Sequence, residues 1–396
     1  MSLFRSLRAP AFIAIAATGT VFAQETLTED NQAALNPLAA LRPTHYVIPT
    51  GTQQVTIAST GETLEMPTEQ VWKPICWNHA PMSLVDLAIM SNTHDADHCD
   101  PGSVTILDGG IANRAGLNVV FSLAASVPAA AVPAFATAEA YLEGQFPNEN
   151  ITVTISVSFA SLGSGIIGGT SAAYGYVDWA SSRAVLVGGM DANDTIQNSL
   201  PAGTTIPVRY ATNSTTNEDR IFWTFANWKA SGGTVSGTDA SMQFSTNFPF
   251  DYDPSNGVGG STISLQDVII HEVGHALGFG SGVDFRSRDI ETLDVFRFRR
   301  TDGTGSNDFN PDTTAEFGVR PRWAVRNNPN DDVNFDIIGA SEYRLSDGSP
   351  WQASHFREQV PAIGIMDPAF SYGETFYPNF LRTSDLTAFD AIGFDN

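Results

Sequence analysis

The chain is poor in cysteine, in positive charge and in long apolar runs, and each shortage narrows what it can be. Two cysteines, Cys76 and Cys99, in 396 residues leave room for one disulfide at most. Lys and Arg total 20 against 43 Asp and Glu, a net charge of −23. A field of that sign repels phosphate backbones and anionic bilayers, so nucleic acid is excluded as a partner. Beyond the first residues no apolar run is long enough to span a bilayer, so no stable membrane insertion is expected once that start is removed.

What is present describes a globular protein. With 42% hydrophobic and 10% aromatic residues the chain can bury one large core or two moderate ones. Its first residues carry Arg5 and Arg8, then the apolar run Ala9–Phe22, then the small-residue site Val21-Phe22-Ala23. That order reads as a signal peptide over residues 1–23, with a mature chain starting near Gln24 in a secreted or periplasmic location. In such an oxidising compartment Cys76 and Cys99 are expected to pair. A thiolate metal ligand beside His94 and His98, in the polar run 94–100, is the alternative. The acidic stretches Asp191–Asp194, Asp251–Asp253 and Asn328–Asp332 read as solubilising surface, with Ca²⁺ as the hard cation they would collect otherwise.

Periodicity divides the rest of the chain. Residues 24–115 mix short β-branched runs, 54–57 and 104–107, with Pro and Gly, and form a β-rich or irregular pro- or accessory segment. From Val132 the character changes: Phe135–Phe146 reads as a helix stopped by Pro147, and Ile151–Phe159 alternates as a half-buried strand does. Gly163–Gly175 reads as a flexible loop or tight turn without the lysine of a phosphate cradle. Arg220–Trp228 is expected in the core, Met242–Phe244 as an exposed edge strand, and Ser384–Asp390 as a capped helix behind the site. The fold class is α+β.

The chemistry concentrates after Ser264-Leu265-Gln266-Asp267, which has the form of a capping box and predicts a helix from Leu265 to about Gly278. Inside it stands His271-Glu272-Val273-Gly274-His275. The i, i+4 spacing puts both imidazoles on one face, one turn apart, where they can bind a single Zn²⁺. Glu272 projects beside them, placed to exchange a proton with a metal-activated water. Gly274 is costly inside a helix and implies room for the metal, the substrate or a neighbouring strand.

The run continues through Ala276-Leu277-Gly278 and resembles the metzincin zinc peptidases, whose signature is H-E-x-x-H-x-x-G followed by a third ligand. The short form of that signature would put a histidine at position 281, which is Ser281. Asp284, Glu291 and a histidine after an insertion are the substitutes. Past residue 100 the only other histidine is His355, in Ala353-Ser354-His355-Phe356, followed by Gly364-Ile365-Met366-Asp367-Pro368. This pattern resembles the leishmanolysin branch of the metzincins, with an insertion at about 279–354. The resemblance implies His355 as third zinc ligand, Met366 as the methionine of a turn beneath the metal, and a twisted mixed sheet packed on the active-site helix. The chain departs from that branch in Phe356, where tryptophan is frequent, and in its few cysteines.

The expectation is thus a catalytic domain over 116–396 that hydrolyses peptide bonds of a protein or peptide substrate, with His271, His275 and His355 on Zn²⁺ and Glu272 as general acid/base. Tyr372 and Tyr377 are candidates for supporting an oxyanion. An exported binding or adhesion module with a structural zinc is the alternative. The arginines of the insertion, among them Arg286, Arg288, Arg297, Arg299, Arg300, Arg320, Arg322 and Arg326, are expected in surface ion pairs.

Overall fold

The structure, a computed structural model, describes residues 116–396 except 164, 193, 213, 234, 236, 285–289, 301–308, 326–332, 338–341, 349–350 and the side chain of residue 284. Before residue 116 it describes only the backbone of four strands, at 52–56, 63–67, 73–79 and 105–107. The signal peptide, the Cys76–Cys99 pairing and the acidic run 328–332 lie outside the described residues.

The elements that position the site are β1 (Lys73–His79), β2 (Thr105–Leu107), β3 (Gly116–Leu123), α1 (Val132–Gln145), β4 (Asn150–Ala160), β5 (Ile166–Ala172), β6 (Tyr174–Asp178), α2 (Trp179–Gly188), β7 (Arg220–Thr224), α3 (Phe225–Ala230), β8 (Ala240–Ser245), α4 (Leu265–Leu277), β9 (Arg297–Arg299), β10 (Val333–Phe335), β11 (Tyr343–Leu345) and α5 (Thr383–Ala391). The fold is a mixed α+β arrangement with several small sheets around one of six strands, in the order β1-β5-β8-β4-β3-β2. Its centre is parallel, β8 to β4 and β4 to β3, while β5 runs antiparallel to β8 and β1 antiparallel to β5.

Alternation sets which face is buried. In β4, Val153, Ile155, Val157 and Phe159 point into the core while their neighbours are only half-buried, the period-2 pattern of a strand with one packed face. On that face α1 and α4 lie against each other and against β3 and β5. Helix α1 begins with proline in its first turn, where the missing N–H costs nothing, and Pro147 follows its end. Phe135 from α1 meets Phe121 and Phe244 edge-on, with ring centroids 5.3 and 5.5 Å apart, joining helix to sheet.

Two expectations are corrected. Gly163–Gly175 is mainly strand, because β5 and the start of β6 occupy it. Met242 and Phe244 are buried, in a strand paired on both sides, so Met242–Phe244 is interior and not an edge. Position within a sheet depends on partners distant in sequence, which local alternation does not encode. The segment Arg220–Trp228 is core as expected from Ile221 on, with Arg220 exposed and Trp223 and Trp228 fully buried in β7 and α3.

Near the C-terminus acidic groups gather. Glu149 accepts from the Asp395 backbone N–H (2.7 Å), and Asp194 takes a hydrogen bond from Gln197. Burial pushes the carboxyl of Glu149 up to about 7. Burial, then the charges of Asp194, Asp191 and Asp395, pushes Asp390 up to about 7 as well. A carboxyl whose native pKa exceeds its unfolded value contributes stability below the unfolded pKa and loses it as pH rises through the native one. Unfolded histidines are half protonated at pH ~6.5 and mostly neutral by pH ~7, so from pH 7 to 8 the raised carboxyls dominate. The melting temperature of the metal-free protein is therefore expected to fall between pH 7 and 8, and Asp390→Asn to flatten the fall. A melting temperature that rises over that window contradicts this.

Candidate metal centre

Helix α4 starts and stops where its sequence predicts. Ser264 caps it, its hydroxyl accepting from the Asp267 N–H at 3.4 Å, and Gly278 ends it in the left-handed region with φ +117°. The capping box is only half formed. The Asp267 carboxylate accepts from the Phe376 N–H (2.6 Å) and the Thr375 hydroxyl (2.8 Å), tying the helix start to the segment after Met366. Every residue of α4 is buried, so the helix runs through the interior and its polar side chains must be satisfied there.

His271 and His275 rise from one face of α4, and His355 comes to them across the insertion. Ring centroids of His355 lie 5.3 Å from His271 and 5.0 Å from His275, and the three rings offer ligand nitrogens within 4.8 Å of one another. Each ring is oriented from behind. His271 Nδ1 stands 2.7 Å from Ile365 O, His275 Nδ1 2.6 Å from Phe279 O, and His355 Nδ1 3.2 Å from Gln352 O.

A carbonyl oxygen only accepts, so each Nδ1 carries the proton and each Nε2 of the neutral ring carries a lone pair. The 3.0 Å approach of His271 Nε2 to His275 Nε2 is then no hydrogen bond but two lone pairs aimed at one point. A metal ion bound between them would relieve that. Around a tetrahedral zinc with Zn–N of about 2.0–2.1 Å, neighbouring nitrogens stand about 3.3 Å apart, close to what is found. Burial pushes His271 down to about 4 and His275 well below the usual range, which keeps both rings neutral and able to ligate. These residues could hold a metal ion, and the donor set fits zinc.

Of the other two substitutes for a third ligand, Glu291 is engaged elsewhere. Glu291 accepts from the Tyr174 hydroxyl at 3.1 Å, and its backbone bridges to Phe222. Asp284 ends a short turn, 282–284, and no part of its side chain is described. Ser281, at the place of the missing histidine, donates to Asp294 at 2.6 Å. Tyr372 and Tyr377 are about half exposed, the latter packed on Phe380.

Glu272 is buried beside the cluster. The Thr170 hydroxyl from β5 lies 2.7 Å from its Oε2 and 3.0 Å from its backbone oxygen. Burial pushes its carboxyl up to about 8, against the opposing pull of that hydrogen bond. Oε1 has no hydrogen-bond partner among the described residues. A buried carboxylate oxygen left over in this way marks a place for a water or a substrate atom. A Cβ at Gly168 would stand 3.2 Å from Oε1 and from Val268 Cγ1, so glycine in β5 lets α4 come this close.

Gly274 has a comparable reason. A Cβ there would meet Met366 Sδ at 2.5 Å, so the room it leaves is taken by the methionine beneath the two histidines. The Met366 turn is held in turn by Asp385 of α5, which accepts from the N–H groups of Ile365 (3.0 Å) and Met366 (3.2 Å). Gly274→Ala gains about 1 kcal/mol of helix propensity and loses about 1–3 kcal/mol to overpacking. A net destabilisation of up to about 2 kcal/mol by denaturant titration, with weaker zinc binding, is expected. A stabilised variant would show that the contact yields freely.

Sequence reasoning did not single out Thr170, Gly168 or Asp385. The Gly168-Gly169-Thr170 run was visible, but as a loop, and Asp385 only as part of a helix cap. No protein-family model matches the chain, and neither a curated protein nor a solved structure is significantly similar to it.

Proposed function

We propose that this protein is an exported zinc-dependent endopeptidase of the metzincin kind, similar to the leishmanolysin branch, and that it hydrolyses peptide bonds of protein substrates. The observation that carries the reading is the convergence of His271, His275 and His355, each with Nδ1 against a backbone carbonyl, beside a buried glutamate with one unpaired oxygen. Met366 under Gly274 agrees with the turn methionine that the resemblance implies.

Zinc in a three-histidine site supplies a Lewis acid and a water of near-neutral pKa. The chain's own residues do the rest. Thr170 fixes the Glu272 side chain through Oε2 and leaves Oε1 to accept a proton and return it to the leaving amine. Ile365 O, Phe279 O and Gln352 O hold the rings so that no ligand has to reorient. A structural zinc in a binding or adhesion module would need a closed fourth position and would have no use for a buried acid there.

The test is digestion of a reduced, denatured protein by the purified chain, read as new N-termini by mass spectrometry. Cleavage that stops with a zinc chelator and returns with added zinc is expected. Cleavage indifferent to chelation, or none with zinc fully bound, overturns the proposal.

A further inference from the structure

Arg297 and Arg322, expected in surface ion pairs, are instead fully buried in the insertion. A guanidinium out of water needs its N–H groups satisfied, and the planar fork of arginine can serve several carbonyls at once. Arg297 Nε donates to Trp323 O (3.0 Å), Nη1 to Ala353 O (3.1 Å) and Nη2 to Ser346 O. The last two carbonyls stand on opposite sides of a chain reversal fixed by the Ser346 N–H donating to His355 O (3.0 Å) and, beyond it, by the bridge of Leu345 to Phe356. The guanidinium therefore grips both sides of the turn from which His355 emerges.

The positive charge of Arg297 acts on buried Asp294, which accepts from Ser281 Oγ (2.6 Å), Gly282 N–H (2.8 Å) and Glu291 N–H (3.0 Å). The residues following the two-histidine helix are thus gathered on a carboxylate that feels the charge of the same arginine that holds the segment carrying the third histidine.

We propose that Arg297 is the positioning residue for the third metal ligand, setting the place of His355 through Ser346 O and Ala353 O. The inference rests on the reading of the three histidines as a metal site. It gives the insertion a role: its core delivers a ligand and is more than a spacer between two parts of a motif. Lysine at 297 keeps the charge but loses the fork, so one carbonyl at most is reached.

The experiment compares Arg297→Lys with Arg322→Lys. Arg322 is equally buried and donates to Val295 O (2.8 Å) and Arg320 O (3.0 Å), and so serves as a control for lost stability. Both variants are expected to melt earlier. Only Arg297→Lys is expected to bind zinc about 10–100-fold more weakly, the range for lost support of a ligand. Its Co²⁺-loaded form should move towards the visible spectrum of His355→Ala. In the double variant with His355→Ala, zinc affinity should be no weaker than in His355→Ala alone, because both changes act on one ligand.

Parent-like zinc affinity in Arg297→Lys, or an equal loss in both arginine variants, overturns the proposal. Should Arg297→Lys fail to fold, the parent decides by NMR. Zinc must slow hydrogen exchange of the Arg297 Nε–H, and exchange that ignores zinc overturns the proposal too. A parent that binds no zinc sinks the metal reading and this inference together, whereas failure at Arg297 alone leaves the metal reading standing.

Discussion

Glu272→Gln is expected to keep the fold and the bound zinc while lowering peptidase turnover about 10²–10⁴-fold, the usual worth of a positioned general acid/base. Glutamine is nearly isosteric, and the Thr170 hydroxyl can still donate to its carbonyl oxygen, so packing against Gly168 and Val268 is preserved. What disappears is an oxygen able to take and release a proton. The three imidazoles are untouched, so zinc measured by atomic emission should stay near one per chain. Turnover within about tenfold of the parent would remove Glu272 from the mechanism.

His355→Ala has a comparably large expected effect, on metal retention first. Two imidazoles one turn apart hold zinc weakly beside three, and removing His355, itself 1% exposed, also opens a hole against both remaining rings. Zinc is expected to be lost on dialysis and activity abolished. Asp284→Asn and Glu291→Gln should leave most of the zinc bound, since Glu291 is committed to Tyr174. If Asp284→Asn released the metal and His355→Ala did not, the third ligand would be misassigned and a zinc enzyme of another branch would remain.

These two substitutions bear on what local sequence encodes and what it does not. The helix bearing His271 and His275 was legible because its signals are local: a serine cap, apolar spacing, and a glycine stop that needs a positive φ. The strand Asn150–Ala160 and the helices Val132–Gln145 and Thr383–Ala391 were legible for the same reason. His355 was reached through the resemblance and the scarcity of histidine, because nothing local distinguishes a ligand 80 positions away.

The misreadings share one cause. Gly168 and Thr170 looked like loop residues, yet glycine in that strand serves the close approach of α4, which only tertiary packing reveals. Met242–Phe244 looked like an edge because which strands flank it is decided by pairing distant in sequence. Arg297 and Arg322 looked like surface charge because a buried arginine bonded to carbonyls has no signature in composition. Arg320, by contrast, does pair at the surface with Glu316 (3.2 Å).

The metal centre itself is tested most directly by X-ray absorption at the zinc edge on the protein loaded with one equivalent. Three imidazole nitrogens at about 2.0–2.1 Å and one non-protein oxygen are predicted, with one nitrogen lost in His355→Ala. A shell closed by four protein ligands, or containing sulfur, or unchanged in His355→Ala, would contradict a catalytic zinc held by His271, His275 and His355.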